Sequence, residues 1–141
     1  MPQMSKEIIY DAVVTVAGTA ISDHVKKVTI QMQAADVDVT SMGSTAMERR
    51  SGLRDDSFSL DVFQDFASSS IDQIFYPLLT SGTPVVVTVK KSSASTSATN
   101  PIYFGTCVVL TYNPLDVEVA QASMTTINLP SYSTGIVRGT A

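Results

Sequence analysis

Residues 57–66 read SFSLDVFQDF. Phe58, Leu60 and Val62 alternate with Ser57, Ser59 and Asp61. Successive side chains of an extended chain point to opposite faces, so this period of two predicts a strand with one buried and one wet face. The same pattern stands upstream, where Val28, Ile30 and Met32 alternate with Lys27, Thr29, Gln31 and Gln33. Val37 and Val39 alternate with Asp36 and Asp38, which extends that strand past a bulge or turn near Ala34 and Ala35. Residues 11–21 hold Val13, Val14, Val16 and Ile21 with threonines between them, a composition that suits a strand better than a helix. Between these strands, residues 41–54 lose all periodicity. Gly43, Gly52, small polar residues and the cluster Glu48, Arg49, Arg50 and Arg54 predict a long loop, and a long loop in a compact domain points either to disorder or to a binding role.

Downstream of residue 66 the period changes once. Ile71, Ile74, Phe75, Leu78 and Leu79 recur at helical spacing, with Ser69 as the expected cap, Asp72 in the first turn and Pro77 expected to shorten or kink the helix. This apolar stripe is expected to pack on the sheets. Val85, Val87 and Val89 then begin a strand that ends at Lys90 and Lys91, and the serine, alanine and threonine run 92–100 reads as an exposed hairpin-like loop. Residues 102–112 predict one long strand with Ile102, Phe104, Val108, Leu110 and Tyr112 on a shared face. Asn113 and Pro114 end it. Residues 124–129 form the last clear strand, and residues 131–141, with Gly135 and Gly139, are expected to be a flexible tail. The expected fold is mainly β, a β-sandwich or barrel flanked by one α-helix, in a single domain of 141 residues.

Composition narrows the function. A 44% hydrophobic content with only 16% charged residues leaves little charge to cover the outside of a monomer, which implies surface buried by partners. A formal charge of −4, from 13 acidic and 9 basic residues, argues against a protein that grips phosphates. Cys107 is the only cysteine, so neither an internal disulfide nor a two-cysteine metal site is expected. Met1–Tyr10 carries Lys6 and Glu7 without an apolar core behind them, and no apolar run approaches the roughly 20 residues that span a bilayer. Secretion and a membrane are therefore not expected. Nor does a catalytic constellation emerge. His24 is the only histidine and reads as a surface or loop residue, Cys107 as a small strand thiol. Asp55 with Asp56, or Asp61 with Asp65, would make an acid pair or cation site only if they converged, and periodicity puts Asp61 on a wet face. No enzymatic activity, cofactor or metal is expected.

Four segments in order carry a family resemblance: GLRDDSFSLDVFQDF at 52–66, SSSIDQIFYPLLTSG at 68–82, SATNPIYFGT at 97–106 and LTYNPLDVEVAQAS at 110–123. Together they resemble the tail tube (major tail) proteins of siphophages that infect actinobacteria and related hosts. The resemblance implies a sandwich that assembles into hexameric rings, stacked into a tube whose inner strands form one continuous barrel. It further implies tape measure, terminator and distal tail proteins as partners, DNA that passes without specific binding, synthesis in the host bacterial cytoplasm and residence in the virion tail. Glu48, Arg49, Arg50 and Arg54 would then make inter-ring contacts. The row Lys27, Thr29, Gln31 and Gln33 is one candidate for the lumen wall. Competing readings are a tail terminator, an injection-system tube subunit, or a monomeric binding module with an aromatic site near Tyr103, Phe104 and Tyr112.

Overall fold

A computed structural model describes residues 8–9, 11–115 and 117–140; Met1–Lys6, Glu7, Tyr10, Asp116 and Ala141 lie outside the described set. Strands β1 (Val13–Val16), β2 (Thr19–Ala20), β3 (Val25–Gln31), β4 (Ala34–Asp38), β5 (Arg49–Arg54) and β6 (Ser57–Phe63) precede helix α1 (Ile71–Ser81). Strands β7 (Val85–Lys90), β8 (Ile102–Cys107), β9 (Thr111–Tyr112), β10 (Met124–Pro130) and β11 (Val137–Gly139) follow it. They form a five-stranded sheet in the order β11-β8-β7-β1-β2, a four-stranded sheet β3-β6-β10-β9 and a two-stranded ribbon β4-β5, with every pairing antiparallel.

The two larger sheets pack face to face because each has one apolar face. Phe58, Leu60 and Val62 of β6 are fully buried, and the register sets Phe58 between Ile30 and Leu129, and Leu60 between Val28 and Ile127. From the other sheet, Val14, Val16, Val87 and Cys107 enter the same core. The alternation in 57–63 is thus the pleat of a central strand with its even positions inside. Helix α1 adds Ile71 and Phe75, both fully buried, while Ile74, Leu78 and Leu79 pack partly buried against the core. Phe75 meets the Tyr112 ring at 6.2 Å between centroids. The helix ends at Gly82, whose left-handed φ of 67° brings its N–H to the Leu78 carbonyl.

Five expectations are corrected. The helix N-cap is Ser70, not Ser69, and the Ser70 hydroxyl donates to Asp65 instead of capping the helix. Pro77 does not end the helix, which runs on to Ser81; Pro77 lies on the exposed side, where the carbonyl it leaves unbonded faces water. Residues 11–21 form a hairpin, turning at Ala17 and Gly18, both at positive φ. The run 102–112 is two strands in different sheets. The odd positions are inside up to the crossing at 108–110, so Cys107 and Val109 are buried while Phe104 and Leu110 are exposed, and only Tyr112 beyond it brings an even position inside. Residues 131–140 are not a loose tail: Ser131 bridges to Cys107, Ile136 is buried, and β11 pairs with the edge of β8.

The buried carboxylate of Asp56 fixes that last segment. It takes the N–H of Ile136 at 2.8 Å and the N–H of Gln33 at 3.2 Å, and it pairs with the Arg54 guanidinium. A Cβ on Gly135 would stand 2.5 Å from Asp56 Oδ2.

Two substitutions test this packing. Phe75→Ala should lower unfolding free energy by about 3–5 kcal/mol in denaturant titration, because the site is closed on every side. Gly135→Ala should lower the melting temperature although it buries more carbon, since its methyl displaces the Asp56 carboxylate from its partners.

Candidate assembly interface

The ribbon β4-β5 stands apart from the sandwich. Its register pairs Val37 with Arg50 and Asp38 with Arg49, with a bulge between Ala34 and Asp36. Residues 49–54, expected in a loop, are therefore a strand, and the connecting loop spans only 39–48. Two hydrogen bonds close its tip: the Val39 N–H reaches the Glu48 carbonyl at 2.9 Å, and the Glu48 N–H reaches the Thr40 hydroxyl oxygen at 2.8 Å. Nearly every residue from Ala34 to Arg54 is exposed, among them Val37, Val39, Met42, Met47 and Leu53. An isolated two-stranded ribbon is marginal in water, and clustered exposed apolar side chains mark a contact surface.

The four cluster residues separate on this frame. Glu48 accepts from Ser44 Oγ at 3.2 Å at the tip, Arg49 pairs with Asp36 across the ribbon at 3.0 Å, and Arg50 is exposed beside them. Arg54 does not join them. It lies at the ribbon's root, bound to Asp56 and to the Ile136 carbonyl at 3.1 Å. Sequence reasoning weighed Asp56 only as an acid pair with Asp55 and missed its pairing with Arg54, although Arg54 and Asp56 stand two apart, the spacing that puts extended residues on one side.

The outer face of the four-stranded sheet is polar along its middle rows, with the apolar pair Phe63 and Met124 at one end and Pro130 at the other. Lys27, Asp61 and Thr126 share one row; Thr29, Ser59 and Asn128 the next; Gln31, Ser57 and Pro130 the third. Thr126 donates to Asp61 at 2.9 Å. Three residues of the candidate lumen row thus lie on a wet sheet face, and Gln33 lies beyond the end of β3.

The aromatic cluster of a binding module does not form. Tyr112 is buried in the sheet opposite Tyr103 and Phe104, and its hydroxyl donates to Asp72 at 2.9 Å and accepts from Gln64. Burial pushes the Tyr112 phenol above its ordinary value and the fully buried Cys107 thiol up to about 11. Among the described residues, no group of three or more His, Cys, Asp or Glu side chains converges to hold a metal. Among them, too, no helix is long and apolar enough to cross a membrane. His24 is more than a loop residue: Nδ1 meets Asp23 and Nε2 meets Asp65, each at 3.0 Å. Asp65 also accepts the Ala67 N–H and the Ser70 hydroxyl, so His24 ties the turn before β3 to the start of α1.

A helix-flanked antiparallel sandwich with a projecting ribbon defines a tail-tube-like fold. The chain matches a chain of the gene transfer agent tail, a structure with C6 symmetry, at TM-score 0.69 and 17% identity over 99% of this chain and 100% of that one. It matches a chain of the native gene transfer agent virion at TM-score 0.69 and 16% identity, covering 90% and 95% of the two chains. The SPP1 tail tube matches at TM-score 0.71 and 10% identity, over 93% of this chain and 76% of that one. No protein-family profile and no curated protein matches the sequence.

The His24 bridge makes stability depend on pH. Hydrogen bonding to Asp23, partly offset by burial and helped by Asp65, raises the His24 pKa above its ordinary 6.5. The protonated form is thus favoured on folding, so its contribution is complete below 6.5 and is lost as pH rises through the folded value. Melting temperature should fall across that window, and His24→Gln should remove the slope. Backbone and Ser70 hydrogen bonds depress the Asp65 pKa below 3.8, so its contribution is lost only as pH falls through that lower value.

Proposed function

We propose that this chain is a structural subunit of a phage-type tail tube, with six copies closing a ring and rings stacking into a conduit for DNA. The observation that carries this reading is the almost wholly exposed β4-β5 ribbon on a sandwich that matches a chain from a six-fold symmetric tail along its full length. A ribbon of that kind needs a neighbour, and in a stack of rings it reaches the next ring.

The sheets support ring closure. In the four-stranded sheet, β3 offers a seven-residue edge and the two-residue β9 leaves much of β10 unpaired at the other. Joining one copy's β3 edge to the next copy's β9 edge hides both without growth into an open fibre, provided the rotation closes. The polar face of that sheet then lines the lumen. Six copies at −4 each give a formal −24, and a wall whose middle rows are hydroxyl and amide groups with one Lys and one Asp per copy, bounded by Phe63, Met124 and Pro130, gives DNA little to hold. Tape measure, terminator and distal tail proteins are the partners this role requires, and the virion tail is its location. The chain itself has no catalytic part in the delivery.

Purified protein at high concentration should contain species far above 15.0 kDa by light scattering, and negative-stain images should show rings or tubes. A protein that stays monomeric even when seeded with preformed tube would sink the proposal. Charge reversal in Arg49→Glu, Arg50→Glu should stop tube growth while leaving the melting temperature within about 1 kcal/mol of equivalent stability, because exposed pairs contribute little to one subunit. Normal tube lengths from that variant would remove the ribbon's basic residues from inter-ring contact.

A further inference from the structure

The sandwich is open along its β3 side, where a groove of about 480 Å³ enters between the sheets. Val28 and Ile30 of β3 form one apolar wall, and Val89 of β7 with Tyr103 of β8 form the other. Lys26, Lys90 and Lys91 stand around it, three of the chain's five lysines. Lys90 donates to the Ala94 carbonyl at 3.0 Å, which holds its ammonium at the rim. The groove is therefore apolar within and basic at its mouth, in a chain whose net charge is negative.

The complementary surface lies at the opposite edge of the same sheet. Between β9 and β10 the sequence 115–119 reads LDVEV, an alternation of apolar and acidic residues. Leu115, Val117 and Val119 are all strongly exposed, Val119 at 96%, and Glu118 is exposed between them. An alternating segment of this kind presents an apolar side and an acidic side when extended. Its height on the sheet also fits. Tyr112, the last residue of β9, lies in the register row that runs through Ile127 and Leu60 to Val28, which is a wall residue of the groove.

We propose that the occupant of the groove is the segment 115–119 of a second copy of this chain. A ring that brings the β9 edge of one copy to the β3 edge of the next delivers the segment to the groove mouth. Leu115, Val117 and Val119 then supply the apolar contact between the sheets, and Glu118 sits against Lys26 and Lys90. The contact is heterologous, each copy giving a segment on one side and receiving one on the other. It rests on the proposed ring, and it goes further by naming the pair of surfaces that closes it.

The test is a double variant, Lys26→Cys with Glu118→Cys, oxidised at assembling concentration and run on a non-reducing gel; a disulfide forms only if the two Cα atoms come within about 7 Å. Tubes that yield a ladder of covalent species up to six chains are the expected result. Tubes without a ladder overturn the docking and leave the ring standing. Crosslinked chains without rings or tubes support the docking and sink the ring, and material with neither overturns both. Charge exchange gives a second reading in otherwise unchanged protein. Lys26→Glu alone should slow assembly at low salt by about tenfold, and Lys26→Glu with Glu118→Lys should restore it. Failure of the exchange to restore assembly overturns the pairing of these two residues.

Discussion

A single buried carboxylate governs the geometry of this subunit. Asp56 has no solvent exposure and sits between the end of β5 and the start of β6. A charge in that position is costly unless paired and hydrogen-bonded. Arg54 supplies the charge, and the N–H groups of Gln33 and Ile136 supply the bonds. The Asp56 carbonyl meanwhile accepts the Ser131 N–H at 2.9 Å. Four stretches of chain thus converge on one residue: both feet of the ribbon, the first residue after β10 and the approach to β11. The direction in which the ribbon leaves the sandwich and the placing of β11 on the sheet edge both follow from it.

How much of this was legible in the sequence depended on whether one face of an element is buried. Phe58, Leu60 and Val62 declare their strand because their outward neighbours face water, and Ile71 and Phe75 declare the helix by the same logic. Arg49–Arg54 carries no such mark, since neither of its faces is buried in the subunit and periodicity records only burial. The run 102–112 misleads for a different reason. Both of its faces carry apolar residues, so Phe104 and Leu110 look as internal as Cys107 and Val109 prove to be, and the inside passes to the even position Tyr112 only after the chain has changed sheets. The pair Asp55 and Asp56 shows no difference in sequence, yet Asp56 alone is buried. Burial there is decided by Gly135 and Ile136, some 80 positions away.

The placement of the proposed contact residues was legible in part. Glu48, Arg49 and Arg50 do lie on the projecting element, because charged and small residues without period mark chain that packs on nothing within the subunit. Arg54 shares their composition but bonds at the ribbon's root, and its partners Asp56 and the Ile136 carbonyl distinguish it from its neighbours. The polar rows of the four-stranded sheet needed the register as well. Thr29 and Asn128 become parts of one surface only when Ser59 is set between them.

The corner of the sandwich has a mechanical meaning. The chain passes from the five-stranded to the four-stranded sheet at 108–110, and it returns after β10 at 131–132. These two crossings are bonded to each other: the Val108 N–H reaches the Pro130 carbonyl at 3.1 Å, and the Tyr132 N–H reaches the Thr106 carbonyl at 2.9 Å. Sliding one sheet over the other would have to stretch covalent backbone at both crossings and break the bonds between them. The subunit therefore resists shear along its strands as a solid block does, and any bending of a filament built from it falls on the joints between blocks.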